Sequence, residues 1–267
     1  MISTGNSLTY YDVVNKARAG VSNTKSLSFD GSNDYLDTNY TANTLFQDDF
    51  SVSLWIKPND ATPSGIQTLI GVEVGISDVF KMYLASTGQL QVYHFSDGAV
   101  GAPSFGNPTV SNGGDLSTDT FTHILFSATK GASVETLSGT ITATKYDMWV
   151  NGYRVSLATP NPFFTVSTAK HAAFDHGGLE LSIGASNDDG THDEFFDGFI
   201  DEVACFTKAF TSTVEAREIY NEGVPTDLSS ESGLLLYYRL EDNVNDTAGT
   251  SNGTNNGATF SATIPQA

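Results

Sequence analysis

The chain has 267 residues, 39% of them hydrophobic and 16% charged, which is enough for one large β domain or two small domains. The 31 acidic and 12 basic residues give a formal net charge of −19, which disfavours nucleic acid and anionic membranes as partners. This charge suits a cationic ligand such as Ca²⁺, a salty medium or simple solubility. The single cysteine, Cys205, excludes a disulfide within the chain and is predicted to be buried.

The first predicted element is a short helix over residues 9–19, which Thr9 and Asp12 would cap and Gly20 would end. Beyond this helix, short alternating segments predict strands. The clearest is 50–56, in which every second side chain, beginning with the first, is large and apolar. Further strands are predicted at 26–29, 35–36, 68–71, 79–85, 90–95, 123–128, 179–184, 199–206 and 234–240.

A hairpin is predicted where Asn151 and Gly152 separate the alternating segments 146–150 and 153–155. Both central residues of a type I′ turn need positive φ, and Asn-Gly meets that need. Segments rich in Gly, Pro, Asn, Ser or Thr predict loops and turns. They cover residues 97–118, 158–178 and 242–258.

A second helix is predicted at 212–221, with a capping box that begins at Ser212 and a terminating glycine at Gly223. Many short strands, few helices and no βαβ alternation predict an all-β antiparallel sandwich or barrel. The economical division of the chain is an N-terminal extension over 1–24, which could dock to a partner, and one β domain over 25–267.

Six motifs occur in an order that resembles the laminin-G-like, concanavalin A-like jelly roll, a superfamily of lectins and glucanases related to pentraxins. They are SLSFDGSNDYLDT (26–38), DFSVSLWIKP (49–58), MWVNGYRV (148–155), LELSIGASNDDG (179–190), GFIDEVACFTKAFTSTVEAREIY (198–220) and GLLLYYRLEDNVNDTAG (233–249). The resemblance implies two stacked antiparallel sheets, one often with a concave ligand-binding face, and calcium at the sheet edges. A shared fold does not specify a function.

Glucanases of this superfamily carry a Glu-x-Asp-x-Glu run, whose alternation places three carboxylates on one face of a strand. The run is absent from this sequence. Asp201 and Glu202 are adjacent, so a regular strand would direct them to opposite faces. Asp197 and Asp201 have the right parity, but no third acid follows. The sequence therefore predicts a protein that is not an enzyme, with one of Asp201 and Glu202 bound to backbone amides or a cation.

Calcium is the expected cofactor, and the best cluster of oxygen ligands follows the predicted strand at 179–184. The resemblance implies acidic ligands at this position, although Ser186 stands where an acid would be expected. The candidate ligands are Asn187, Asp188 and Asp189 with Asp78. The resemblance also implies that Asp201 pairs with Asp30, in the turn after the first strand, through a second calcium ion or a hydrogen bond. The alternative is a solvated turn, because Asp and Asn are ordinary turn residues.

Aromatic rings in loops could stack on sugars, although aromatic residues of a sandwich more often lie in the core. The candidates are Tyr93, His94, Phe105, Phe163, Phe164, Phe195 and Phe196. The five histidines have no zinc-binding spacing.

Two functions fit the sequence. The first is a non-catalytic domain for adhesion or for binding a glycan or cell-surface polysaccharide. The second is a structural virion protein, such as a phage decoration or fibre protein, that binds neighbouring structural proteins and could form a homo-oligomer. No segment is apolar enough to span a membrane, and no signal peptide is recognisable. The expected location is a virion surface, the exterior by a non-standard route, or otherwise the cytoplasm.

Overall fold

A computed structural model describes residues 20–43, 45–75, 78–96, 116–136, 139–155 and 175–266. Strands account for most of the regular structure, and they form two eight-stranded sheets. The predicted all-β antiparallel sandwich with one short helix near residues 212–221 is therefore confirmed. The predicted helix at 9–19 lies outside the described residues, as does most of the two predicted loops at 97–118 and 158–178.

The first sheet has the strand order β16-β1-β13-β3-β7-β8-β9, and β14 also pairs with β13. All of its pairings are antiparallel. Its strands are β1 (Ser26–Asp30), β3 (Phe50–Pro58), β7 (Thr122–Thr136), β8 (Gly139–Val150), β9 (Tyr153–Arg154), β13 (Asp197–Phe206), β14 (Leu234–Tyr238) and β16 (Thr259–Ser261).

The second sheet has the order β12-β11-β4-β10-β2-β15. In addition, β5 pairs with β4, and β6 pairs with β5. Its pairings are antiparallel except for a parallel contact between β11 and β4. Its strands are β2 (Tyr35–Thr41), β4 (Gln67–Val74), β5 (Asp78–Leu84), β6 (Leu90–Ser96), β10 (Glu180–Ile183), β11 (Ser186–Asp188), β12 (Thr191–Asp193) and β15 (Thr254–Asn256).

The main core lies between the sheets and follows the predicted alternation. The even-numbered residues of β3 from Phe50 to Ile56 belong to it, together with Phe80 and Met82 of the second sheet. The predicted hairpin is also present, since Asn151 and Gly152 both have positive φ between β8 and β9. Cys205 is buried in the same core, as predicted.

The outer face of the first sheet is covered in part by helix α1 (Thr213–Tyr220). Ala216 and Ile219 of this helix pack in a second apolar cluster that includes Trp149 and Phe206. The Ser212 hydroxyl accepts hydrogen bonds from the first amides of the helix, as its capping role requires. Two further segments, Leu45–Gln47 and Asn221–Gly223, are 3-10 turns. Because the second of them follows the α-helix directly, the α-helix ends before the predicted Gly223. Asn221, in the left-handed region, terminates it.

Candidate functional site

The outer face of the second sheet, here called the polar face, carries a dense set of hydrogen-bonding and aromatic side chains. Phe80 and Met82 of β5 belong to the core, so alternation directs Lys81 and Tyr83 to the other side of the sheet. The same argument applies to neighbouring strands. The polar face thus comprises Tyr35, Asp37, Glu73, Lys81, Tyr83, Gln91, Tyr93, Ser182, Ser186, His192 and Glu194.

Lys81 lies at the centre of one half of the polar face, between two carboxylates. Its Nζ is 2.8 Å from Glu73 Oε1 and 2.9 Å from Glu194 Oε2. The Ser186 hydroxyl donates to Glu73, and the Thr68 hydroxyl donates to Glu194. Burial lowers the pKa of Lys81, but the hydrogen bonds and negative charges of both glutamates outweigh burial and raise the pKa overall.

Two tyrosines border this ion-pair group. The Tyr83 hydroxyl donates to Gln91 Oε1 at 2.6 Å, and Lys81 Nζ lies 5.7 Å from the centre of the Tyr83 ring. Burial is the main cause that raises the pKa of Tyr83 to about 12. Tyr93 lies opposite Lys81 on the neighbouring strand β6 and is half-buried. This half of the polar face therefore combines fixed charges with ring surface.

The other half is centred on His192, whose ring stacks on Tyr35 at a centroid distance of 3.7 Å. His192 Nε2 lies 2.9 Å from Asp37 Oδ1 and 2.8 Å from the Ser182 hydroxyl. Burial raises the pKa of Asp37, but the hydrogen bonds from His192 and Ser182 lower it and outweigh burial. The net pKa of Asp37 therefore lies below its ordinary value. Phe195 lies 6.4 Å from the Tyr35 ring and completes an aromatic group.

The Ser182, His192 and Asp37 side chains are not a hydrolytic triad. A triad needs one imidazole nitrogen for the acid and the other for the serine. Here both contacts involve Nε2. Because a carboxylate only accepts hydrogen bonds, this nitrogen carries the hydrogen and cannot take a proton from the serine.

Glu73 and Glu194 form a pair of carboxylates on the polar face. Both contact the same ammonium group, so their bound oxygens lie within about 6 Å of each other, an upper limit that includes the carboxyl spacing of retaining glycosidases. Lys81, however, lies between them and is held by both. The space that a scissile bond would need is thus filled by a side chain.

The structure brings one predicted group of calcium ligands to one end of the second sheet. The Gly75 amide, in the turn after β4, donates to Asp188 Oδ1, and Asp78 begins the strand after that turn. Asn187 is engaged within the protein, since its Oδ1 accepts from the Gly190 amide and its Nδ2 donates to the Glu180 carbonyl. Asp189 is exposed. Within the residues described, no three His, Cys, Asp or Glu side chains converge to hold a metal ion.

The second predicted calcium pair, Asp30 and Asp201, is not brought together, and that expectation is wrong. The register of β1 and β13 places Asp30 opposite Asp197 and Leu27 opposite Ile200. Asp201 therefore lies at the other end of the paired segment. The Asp30 carboxylate instead accepts hydrogen bonds from the amides of Ser32 and Asn33, which closes the turn after β1.

Asp201 and Glu202 are both buried, at 0% and 2% exposure, and the expectation that they point to opposite faces is wrong. Glu202 has a φ of 47°, and the pairing of β13 with β3 is irregular between Asp201 and Ala204. This β-bulge interrupts the alternation. The Asp201 carboxylate accepts hydrogen bonds from the Glu202 amide, as predicted, and from Asn23 Nδ2 at 2.8 Å.

Glu202 contacts residues of β14 and the chain that follows it. Its carboxyl group accepts hydrogen bonds from the Tyr237 hydroxyl and from Arg239 Nε. Burial raises the pKa of Glu202 to about 7, against the lowering effects of Tyr237 and Arg239. Burial and the Glu202 charge raise the pKa of Asp201 well above its usual value. The acid pair is therefore a structural feature of the first sheet and is remote from the polar face.

The raised pKa of Glu202 predicts a pH dependence of stability. The folded chain binds this proton more tightly than the unfolded chain, so the unfolding free energy falls as pH rises from about 4.5 to 7. We expect Glu202→Gln to reduce this fall by roughly 2–3 kcal/mol. Urea unfolding at a series of pH values measures it, with the exposed Glu222→Gln as control. Equal slopes for the wild type and Glu202→Gln would contradict the assignment.

The structure places the aromatic residues that were predicted to stack on sugars in different environments. Tyr93 and Phe195 are half-buried at the polar face. His94 and Phe196 are buried, so their assignment as exposed ligand contacts is wrong. His94 Nδ1 lies 2.7 Å from the Tyr146 hydroxyl inside the sandwich. The remaining candidates, Phe105, Phe163 and Phe164, lie outside the described residues. Sequence reasoning missed Tyr35, although alternation in 35–38 places it on the same face as Asp37.

The two stacked antiparallel sheets form a lectin-like β-sandwich. The family model of the concanavalin A-like lectin/glucanases superfamily, of the laminin G type, matches residues 30–214. This match covers more than half of the chain, and the chain belongs to this superfamily. No curated protein matches the chain.

Solved structures show the same fold at low sequence identity. A proposed carbohydrate binding protein from Bacteroides ovatus is 20% identical, with a TM-score of 0.61 over 92% of this chain and 62% of the other. This chain thus spans less than two thirds of that protein's length. The carbohydrate-binding module CBM40 of a Ruminococcus gnavus sialidase, bound to α2,3-sialyllactose, is 14% identical, with a TM-score of 0.51 over 73% and 97%. No helix in the described parts of the present chain is long and apolar enough to cross a membrane.

Proposed function

We propose that this chain is a non-catalytic glycan-binding domain and that the polar face is its ligand surface. The observation that carries the proposal is the placement of aromatic rings beside fixed hydrogen-bonding groups on one sheet. Tyr35 and Phe195 offer ring surface next to His192, and Tyr93 offers it next to the Lys81 ion pairs. On such a surface the aromatic rings contact the apolar face of a sugar, and the polar groups form hydrogen bonds with the sugar hydroxyls.

The non-catalytic part of the proposal rests on Lys81. A retaining glycosidase needs one carboxylate as nucleophile and one carboxylic acid as proton donor. Glu73 and Glu194 both bind the Lys81 ammonium, which fills the space between them. The names of the two structural relatives, a proposed carbohydrate binding protein and a carbohydrate-binding module, support the same function.

The proposal is tested by retention of the protein on a panel of immobilised neutral and acidic polysaccharides. Tyr35→Ala should weaken binding to a retained polysaccharide about tenfold or more, because it removes the ring that stacks on His192. Tyr153→Ala on the first sheet is the matched control and should bind a neutral polysaccharide normally. No retention on any polysaccharide, or equal retention of both variants on the neutral polysaccharides, would contradict the proposal.

Calcium at the β11–β12 turn stays a prediction, and the same panel tests it. The side-chain oxygens there that could bind Ca²⁺ are those of the exposed Asp189 carboxylate and the second oxygen of Asp188. Further ligands would have to come from backbone carbonyls or water. Retention measured in Ca²⁺ and again in EDTA decides whether binding needs the ion.

The virion protein remains the alternative, and it has a different solution behaviour. A structural protein of an assembly would form a stable homo-oligomer and ignore polysaccharides. Light scattering of the purified chain, combined with the same panel, separates the two functions.

A further inference from the structure

Two basic side chains of this acidic protein have no acidic partner among the described residues, and they lie on the same side of the sandwich. Within the described residues, every Lys and Arg forms an ion pair except Lys57 and Arg217. The chain carries a formal net charge of −19, so acidic partners are abundant. Two cations left without a partner in such a chain favour the approach of an anion.

Each of these cations lies over an aromatic ring. Lys57 Nζ is 5.2 Å from the centre of the Phe199 ring, and Arg217 Cζ is 4.7 Å from the centre of the Tyr153 ring. Such cation–π contacts hold a cation near the surface without cancelling its charge. Tyr153 is 62% exposed, the largest exposed fraction among the large hydrophobic side chains described.

The two cation–ring pairs belong to one continuous surface on the outer side of the first sheet. Trp55 and Lys57 are two residues apart in β3 and therefore share a face. The Trp55 ring stacks on Tyr220 at 5.7 Å, and Tyr220 ends the same helix that carries Arg217. We call the surface formed by Trp55, Lys57, Tyr153, Phe199, Arg217 and Tyr220 the aromatic–cation surface.

The turn at Gly152 holds the hairpin tip against the helix. A Cβ added there would lie 3.1 Å from both the Arg217 and the Tyr220 side chains.

Two other groups limit the local charge. Arg154 is already paired with the buried Asp147, and the Glu222 carboxylate lies close enough to influence the pKa of Tyr220. Lys57 and Arg217 thus remain the cations available to a ligand.

We infer that the aromatic–cation surface is a second glycan-binding site, separate from the polar face, and that it takes an acidic saccharide. The exposed Tyr153 ring and the half-buried Phe199 and Tyr220 rings would stack on sugar faces, and Lys57 and Arg217 would bind the sugar carboxylates. The inference goes beyond the proposed function because this surface belongs to the other sheet and has a different charge. It predicts that one domain can contact two glycans of different chemistry.

The test uses trigalacturonic acid as the probe and maltotriose as the neutral probe of equal length, in calorimetric titrations of the whole chain. Lys57→Glu and Arg217→Glu should each weaken trigalacturonate binding about tenfold. Lys25→Glu makes the same change in charge at an exposed ion pair elsewhere and should stay within about twofold. Thermal unfolding of each variant verifies the fold.

A second readout locates the ligand without any variant. The chain has two tryptophans, and the Trp149 indole donates to the Thr213 hydroxyl beneath the helix. In NMR spectra the Trp55 indole signal should shift with trigalacturonate, and the Trp149 signal should not. Tyr35→Ala on the polar face should leave this titration unchanged, which separates it from the proposed function.

Four results would overturn the inference. They are no binding of trigalacturonate, equal binding of maltotriose, equal weakening by all three charge reversals, and binding of hexaglutamate as tight as that of trigalacturonate. The last result would assign the surface to acidic peptides.

Discussion

Replacing Lys81 with methionine is expected to destabilise the chain by about 3–5 kcal/mol. Methionine fills a similar volume, so the loss comes from charge. Glu73 is buried and Glu194 half-buried on the polar face, and both would lose the ammonium group that neutralises them. Removing one partner of a buried ion pair leaves an uncompensated charge, which is more harmful than removing all partners together.

Urea unfolding at neutral pH measures this effect. Two comparisons make the result specific. Lys81→Met combined with Glu73→Gln and Glu194→Gln should recover most of the loss, because no buried charge is then unpaired. Lys25→Met removes an ion pair of 3.8 Å whose aspartate is largely exposed, and it should change stability by less than about 1 kcal/mol. A Lys81→Met variant as stable as the wild type would contradict the description of the polar face.

Gly184→Ala is expected to destabilise the chain by about 3 kcal/mol or more. Gly184 has a φ of 82°, and an added Cβ would lie 2.3 Å from Cε1 of the Phe29 ring. Phe29 cannot move aside, because it is buried and its ring meets Phe196 edge to face. The Gly184 backbone also bonds to Leu69 and Phe196. This glycine therefore fixes the approach of the first sheet to the second.

Gly190→Ala is the matched control for this variant. Gly190 has a φ of 84°, and an added Cβ would meet nothing within 4 Å. Its substitution should cost about 1–2 kcal/mol, the strain of a left-handed backbone alone. The difference between the two variants in chemical denaturation then measures the packing at Phe29. Equal losses would show that packing at Gly184 contributes nothing.

The sandwich could be predicted because its signals are local. Alternation in β3, the Asn151-Gly152 turn and the capping residue of α1 each specify one element, and the order of six motifs specifies how the elements combine. The short strands β15 and β16 were not predicted. Their residues lie in Asn- and Gly-rich segments, and only pairing with β2 and β1 makes them extended.

The site was less predictable because its contacts cross between strands. Alternation alone puts Lys81 and Tyr83 on one face of β5, but only the strand register and the turn after β12 bring Glu73 and Glu194 to Lys81. The bulge at Glu202 has no local signal either, since glutamate seldom adopts positive φ. Long-range pairing, which the sequence does not display, decides both.

The central claim is that the polar face binds a glycan and breaks no bond. A crystal structure of the chain with an oligosaccharide chosen from the polysaccharide panel tests it most directly. We predict an intact sugar on the polar face, with a ring against Tyr35 or Tyr93 and Lys81 still held by Glu73 and Glu194. A cleaved sugar lying between these two glutamates, with Lys81 displaced, would contradict the account.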